Sequence, residues 1–87
     1  MIVGKVVGSV IATRKNENLI GCKFLIVEPL EKMSTAGRLV AVDNVGAGIG
    51  DFVLVATHSA ARIGCNMKDS PIDAAIVGIV DDGIGLE

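Results

Sequence analysis

"DNVGAGIGDFVLV", residues Asp43 to Val55, places three glycines at alternate positions directly before an acidic residue and an apolar run. Such a loop raises the question of a nucleotide site, but a dinucleotide fingerprint needs G-x-G-x-x-G, and the third glycine is absent whether the pattern starts at Gly46 or Gly48. A P-loop needs a lysine and a following helix, whereas this loop has no lysine and continues into the strand "FVLV". Asp51 would also repel a phosphate. The stretch is therefore interpreted as a glycine-rich connection between two antiparallel strands.

The segments around this loop also predict strands, because they are short, apolar and rich in β-branched residues. The five predicted strands are Ile2–Thr13, Cys22–Leu30, Arg38–Val45, Asp51–Thr57 and Ala74–Asp82. Gly4 and Gly8 are expected to bend or bulge the first strand, and Gly78 the last. Pro29 restricts the second strand to an edge or an end at that point.

Only one short helix is expected. "HSAARIG", residues 58–64, has Ser59 as a candidate N-cap, alanines that favour helix, and Gly64 as a stop. The polar segment Arg14–Gly21 is predicted to be a loop, and no helical pattern of ten or more residues occurs. The fold class is therefore mostly β, as a small closed or nearly closed five-stranded barrel, and residues 1–87 are expected to form a single domain.

The amino-acid composition limits the classes of partner that this protein is expected to bind. A domain of 87 residues buries only about 60% of the surface of its unfolded chain, yet 51% of this chain is apolar, which predicts spare apolar surface for a subunit interface. The net charge is −2, basic residues are scattered, and the only aromatic residues are Phe24 and Phe52, which argues against nucleic acid as a partner. No apolar run approaches the ~18 residues of a membrane span, and no signal-peptide pattern occurs, so a cytoplasmic protein is predicted.

The residues with reactive side chains show no catalytic or metal-binding pattern. Cys22 and Cys65 lack the spacing of a zinc site and are interpreted as reduced thiols, with a disulfide left open only if the fold juxtaposes them. His58 beside Ser59 suggests a hydrolase, but adjacency supplies neither an orienting carboxylate nor an oxyanion hole. Arg62 fits a surface charge or a subunit interface equally well. These residues therefore give no pattern that predicts a metal, a cofactor or a catalytic site.

Four segments in order, "GKVVGSVIATRKNENLIGCKFLIVEPL", "VAVDNVGAGIGDFVLV", "HSAARIG" and "SPIDAAIVGIVDD", resemble the EutN/CcmL/PduN family of bacterial microcompartment vertex proteins over nearly the whole chain. The resemblance implies an OB-like five-stranded barrel that forms a cyclic homopentamer and caps the vertices of a polyhedral shell. It also implies hexameric shell proteins as partners, a place in the microcompartment shell in the cytoplasm, and no catalysis by the chain itself.

The resemblance implies roles for particular residues as well. Those expected to contribute to packing between subunits and around the five-fold axis are Gly46, Ala47, Gly48, Gly50, Ser59, Ala60, Ala61 and Arg62. Pro71 to Asp82 resembles the strand that closes the family's barrel. Members of the family commonly have glycine where this chain has His58. Gly48→Val is predicted to weaken assembly, because this backbone is expected to need a positive φ or a close approach.

Two other functions remain as alternatives. A monomeric OB-like module that binds a ligand would need a groove with stacking aromatic residues or clustered cations. A small hydrolase that uses Ser59 and His58 ranks last, and it would lose its activity in the variant His58→Ala.

Overall fold

The chain forms a closed β-barrel. A computed structural model of the protein describes residues 1–12, 17–31, 37–64 and 72–81. Its elements are the strands β1 (Ile2–Val10), β2 (Lys23–Pro29), β3 (Leu39–Asp43), β4 (Phe52–Thr57) and β5 (Ala74–Ile79), a 3₁₀ helix η1 (Glu17–Leu19) and a helix α1 (Ser59–Gly64). The strands follow each other around the barrel in the order β1-β2-β3-β5-β4. The predicted mostly-β fold, with a five-stranded barrel and one short α-helix, is confirmed.

The barrel interior is aliphatic, as the composition predicts. Alternate residues of the strands point inward, since strand side chains have a period of two. The fully buried side chains of this interior include Val6, Leu25, Val27, Val53, Val55 and Ile76. Neither phenylalanine belongs to this group, and the core is therefore built from small branched side chains.

A second cluster of buried residues lies on the outside of the barrel. It consists of Val42, Ala61, Ile72 and Ala75, with Leu19 and Phe24 packed against them. Because Ala61 belongs to α1 and Leu19 to η1, both helices cover the outer surface of neighbouring strands. Packing of the partly buried Leu19 against this cluster accounts for η1, which lies in a segment that the sequence predicts to be a loop.

Two bulges bend the strands next to glycines. The register of β1 against β2 shifts between Val6 and Gly8, and that of β5 against β4 shifts between Ile76 and Gly78. Each shift leaves one extra residue and reverses the inward and outward alternation beyond it. Gly4 has another role, because a Cβ there would lie 2.6 Å from Val27 Cγ1 and 2.8 Å from the Glu28 carbonyl oxygen. The β1 backbone thus approaches β2 more closely at Gly4 than a side chain would allow.

The strands are shorter than the sequence predicts. β1 ends at Val10 rather than Thr13, and β5 ends at Ile79 rather than Asp82; Thr13, Pro71 and Asp82 lie outside the described residues. Pro29 is the last residue of β2, in agreement with its missing backbone donor. None of the helices in the described part of the chain is long and apolar enough to cross a membrane.

The connection between β3 and β4 is not a simple hairpin. The two strands run antiparallel, as expected, but β5 lies between them and pairs parallel with β3 and antiparallel with β4. The glycine loop therefore passes over one end of the barrel instead of joining neighbouring strands.

Candidate assembly site

The first half of the glycine loop is tied to the carboxylate that precedes it. Asp43 Oδ1 accepts hydrogen bonds from the backbone N–H groups of Val45 at 3.2 Å and Ala47 at 3.1 Å. Lys23 Nζ lies 3.5 Å from Asp43 Oδ2 and donates to the Ala47 carbonyl oxygen at 2.7 Å. The side chain of Asp43 is only 3% exposed. Its charge is therefore compensated by Lys23 and by two donors of the loop.

The second half of the loop is held by Asp51 and by β1. Asp51 Oδ2 accepts from the Gly48 N–H at 2.8 Å. The Gly50 N–H donates to the Val6 carbonyl oxygen at 2.8 Å, and the Val6 N–H donates to the Asp51 carbonyl oxygen at 2.9 Å. Several N–H groups of the loop are thus used by the chain's own oxygens rather than turned toward an anion. This arrangement agrees with the interpretation of the loop as a connection and not a phosphate cradle.

The three glycines of the loop differ in whether their backbone conformation requires glycine. Gly46 has φ of 82° and Gly50 has φ of 96°, both in the left-handed region that favours glycine. Gly48 is outside that region, and a Cβ there would meet only Asp51 Oδ2, at 3.9 Å. The expected positive φ at Gly48 is therefore wrong, and no close approach of the chain's own backbone occurs there. The positive φ is found instead at Gly46 and Gly50.

The remaining predicted assembly residues fall into buried and exposed groups. Ala47 belongs to the barrel core and Ala61 to the outer cluster, so their side chains pack within the chain. Gly46, Gly50 and Ala60 are exposed. The exposed group supplies the backbone and side-chain surface with which another subunit could pack.

The turn into α1 begins with an unusual backbone. His58 has φ of 57°, and its N–H donates to the Asp73 carbonyl oxygen at 2.7 Å. Helix α1 already includes Ser59, so the position before the helix is His58 and not Ser59 as predicted. The His58 carbonyl oxygen accepts from the Ala61 N–H at 3.1 Å. The left-handed conformation thus starts the helix immediately after β4.

Arg62 fastens α1 to the segment that leads into β5. Its Nη1 donates to the Ile72 carbonyl oxygen at 3.0 Å, and the residue is half-buried. At the end of the helix, Asn44 Nδ2 donates to the Gly64 carbonyl oxygen at 3.0 Å. The helix and the glycine loop are therefore joined, although they are separate motifs in the sequence. A role of Arg62 between subunits stays a prediction.

The described residues contain no group of three or more His, Cys, Asp or Glu side chains that could hold a metal ion. His58 is exposed, and Cys22 is a half-buried free thiol. Cys65 lies outside the described residues, so the structure does not test a pairing of the two cysteines.

The sequence does not reveal Lys23 and Asp43 as a pair. Lys23 is the first residue of β2 and Asp43 is the last residue of β3, and the two are partners in the register of this antiparallel pair. An aspartate followed by N-V-G is typical of a turn capped by its own side chain, which is the signal available for Asp43. No local signal identifies Lys23, because the contact depends on strand pairing.

Large apolar side chains remain exposed on the surface of the folded chain. Those of the described residues are Met1, Ile11, Ile20, Val40, Val45, Ile49, Phe52, Ile63 and Ile79. A domain of this size that leaves so many apolar groups exposed has surface suited to another protein chain. The predicted surplus of apolar surface is thus present in the folded chain.

Comparison with known proteins gives consistent matches. The model of the family described as "Ethanolamine utilisation protein EutN/carboxysome" matches residues 1–81. The bacterial microcompartment shell vertex protein GrpN of Rhodospirillum rubrum is 51% identical over 83 residues, which are 93% of each chain. The carboxysome shell vertex protein CcmL of Synechocystis is 44% identical over 88 residues, covering 93% of this chain and 83% of that protein. A solved structure of the GrpN pentameric microcompartment shell protein superposes with a TM-score of 0.82 at 46% identity, covering 94% of this chain and 95% of the other.

Proposed function

Because this chain belongs to the EutN/CcmL family, we propose that it is a structural vertex protein of a bacterial microcompartment and that it assembles as a cyclic homopentamer. Residues 1–87 form one vertex domain. The pentamers cap the corners of the polyhedral shell, and the protein resides in that shell in the cytoplasm.

The observation that carries this proposal is the likeness to GrpN across almost the full length of both chains. That relative is a shell vertex protein at 51% identity, and its solved structure is that of a pentameric shell protein. The match covers 93% of each chain, so it includes nearly the whole barrel. The same fold with the same length therefore supports the same type of assembly.

The geometry of a closed polyhedral shell explains why its vertices need pentamers. Hexagonal tiles form a flat layer, and such a layer closes into a polyhedron only where five-fold units replace six-fold ones. In a cyclic ring each subunit uses two different surfaces, one for each neighbour. The exposed apolar side chains supply material for both surfaces.

The glycine loop and the α1 turn are the proposed assembly elements. The residues concerned are Gly46, Ala47, Gly48, Gly50, Ser59, Ala60, Ala61 and Arg62. Support comes from the exposure of Gly46, Gly50 and Ala60 and from the bond between Asn44 and Gly64, which joins the two elements. Hexameric shell proteins are the proposed partners of the finished pentamer, with no role for nucleic acid or membrane.

The chain acts without catalysis or cofactor in this proposal. The vertex proteins among its relatives are named for a structural role in shells. The alternative of a monomeric ligand-binding module is not favoured, because Phe24 packs in the outer cluster and Phe52 lies beneath Lys5, 5.8 Å from Nζ to the ring centroid. These two rings do not form a stacking platform.

Native mass spectrometry of the purified chain at micromolar concentration tests the proposal. We expect a dominant species of five chains. Monomers or dimers alone would contradict it, as would oligonucleotide binding at moderate salt by a monomeric chain. Co-expression with a hexameric shell protein then tests the vertex role, with closed particles expected only when this chain is present.

A further inference from the structure

The exposed apolar side chains are concentrated at one end of the barrel. β1 and β3 both run antiparallel to β2, and β5 runs parallel to β3, so β1, β3 and β5 end on the same side. This side, where β2 and β4 begin, is called the loop end. The exposed apolar residues at or beside it are Ile11, Ile20, Val45, Ile49, Phe52 and Ile79. Met1, Val40 and Ile63 lie elsewhere, since Met1 and Val40 are near the starts of β1 and β3 and Ile63 belongs to α1, which follows the other end of β4. Such a one-sided distribution indicates a contact surface rather than scattered exposure.

One part of the loop end is concave. A groove of about 390 Å³ lies between the end of β1 and the start of β2, with Val10, Ile11, Cys22 and Phe24 among its lining residues. Lys23 also lines it, but its ammonium group is bonded to Asp43 and to the Ala47 carbonyl oxygen. Since that charge is compensated within the chain, the groove suits an apolar occupant. Ile11, which is 90% exposed, leaves much of the apolar wall open.

Another part of the loop end carries exposed apolar side chains. Ile49 is 69% exposed at the turn of the glycine loop, and Phe52 and Ile79 are about two-fifths exposed beside it. Phe52 and Ile79 are neighbours through the ladder, because the Val80 N–H donates to the Phe52 carbonyl oxygen at 2.8 Å. The hydrogen bonds of Asp43 and Asp51 hold the loop backbone before any partner arrives. Little conformational entropy is then lost when this surface binds.

The groove and the exposed side chains of the glycine loop are separate surfaces of the loop end. The groove lies between the end of β1 and the start of β2, whereas the loop runs from β3 to β4 and is bonded to Val6 of β1 and to Lys23 of β2. A cyclic ring requires two unlike surfaces on one subunit that fit each other on neighbouring subunits. An apolar groove and a preorganised apolar loop on the same chain meet that requirement, which makes a second copy of this chain the matching occupant.

We propose that the Ile49 loop of one subunit packs into the groove beside Ile11 and Cys22 of the next subunit around the ring. This assignment rests on the proposed pentamer and names the two surfaces that build it. The β2–β3 outer face around Val40 is not part of the contact.

Three matched variants test whether these two surfaces meet. For each variant, analytical ultracentrifugation measures how pentamer formation depends on protein concentration. Ile49→Asp and Ile11→Asp each place a charge in the proposed contact and are expected to raise the concentration for half-assembly by at least about tenfold. Val40→Asp makes the same change at a site 49% exposed outside the contact and is expected to leave that concentration unchanged. Circular dichroism should show folded barrels for the first two variants, since both side chains are exposed.

Cross-linking tests which surfaces meet. In a Cys65→Ser background, Ile49→Cys is expected to link to the native Cys22 of the neighbour with a short bismaleimide. Because each subunit offers one loop and one groove, the products should form a ladder from dimers to pentamers on a denaturing gel. Adding Cys22→Ser should remove the ladder, and Val40→Cys in place of Ile49→Cys should produce none.

The outcomes separate this assignment from the proposed function. Pentamers that form normally in both Asp variants would overturn the loop-and-groove contact while leaving the pentamer intact. A cross-link that stops at dimers and persists in the Cys22→Ser variant would show that two loops meet, and it would overturn the loop-and-groove contact. The absence of any cross-link would overturn that contact as well. A wild-type chain that never forms pentamers would instead refute the proposed function.

Discussion

His58 is the one non-glycine residue of the described chain with a positive φ. A side chain in the left-handed region costs about 1–2 kcal/mol, because its Cβ crowds the following carbonyl oxygen. The position is kept in this conformation by the bond from its N–H to the Asp73 carbonyl oxygen and by the start of α1. A glycine at this position would avoid this strain.

We therefore expect His58→Gly to raise the free energy of unfolding by up to about 1 kcal/mol, after the larger unfolded-state entropy of glycine is subtracted. Thermal denaturation at fixed protein concentration measures the change. His58→Ala is the control, because it removes the imidazole but keeps a Cβ at the strained position. A glycine variant less stable than the alanine variant would contradict the strain argument.

Gly50 and Gly48 form a second matched pair at the residue scale. Gly50→Ala should lower the free energy of unfolding by about 1–2 kcal/mol, because its φ of 96° is unfavourable for alanine. Gly48→Ala should change stability by no more than about 1 kcal/mol, because its φ is outside the left-handed region and the nearest atom to the added Cβ is 3.9 Å away. Urea denaturation of both variants checks this difference, and equal losses would contradict it. Gly48→Val then reports on contact with a neighbouring subunit.

At the scale of the element, the glycine loop depends on the carboxylate of Asp43. Removing this side chain leaves the N–H groups of Val45 and Ala47 without their acceptor and Lys23 without its ion pair. Ala47 is part of the barrel core, so the effect reaches from the loop into the interior. The loop is thus a structural element of the barrel as well as a surface.

We expect Asp43→Ala to lower the free energy of unfolding by about 1–3 kcal/mol, because it leaves a partly buried donor unsatisfied. Asp43→Asn should lower the free energy of unfolding by less, because its amide oxygen still accepts from the N–H groups of the loop. Loss of the ion pair adds little, because the Lys23 side chain is 55% exposed. Hydrogen exchange of the Val45 and Ala47 amides, with urea denaturation, measures both effects. Asp73→Ala is the control at an exposed aspartate, and a loss as large there would contradict the assignment.

At the scale of the whole molecule, folding and assembly are expected to be linked. Only folded chains present the loop and the groove together, so pentamer formation stabilises the folded state by mass action. The melting temperature of the wild-type chain should therefore rise by several degrees over a hundredfold increase in protein concentration. The variant Ile49→Asp should show a much smaller rise. A melting temperature independent of concentration in both proteins would argue against linkage.

The sequence by itself determined the local features of this protein. Short apolar segments rich in β-branched residues predict all five strands, Pro29 marks the end of β2, and "SAARIG" forms the helix at the predicted place. The glycine spacing and the following strand already distinguish the loop from a nucleotide site. The ordered motifs also indicate the family, because they extend over nearly the whole chain. These features follow from backbone preference and side-chain pattern within a few residues.

Only the tertiary structure decided what depends on distant contacts. The parallel pairing of β3 with β5 places a strand between β3 and β4, so the glycine loop crosses the barrel end. The same closure brings Lys23 to Asp43 and packs Leu19 against the outer cluster, which accounts for η1. It also gathers Ile11 and Ile49 at one end, although they are far apart in sequence. No local pattern encodes these neighbours, because strand pairing and burial in the outer cluster select them when the barrel closes.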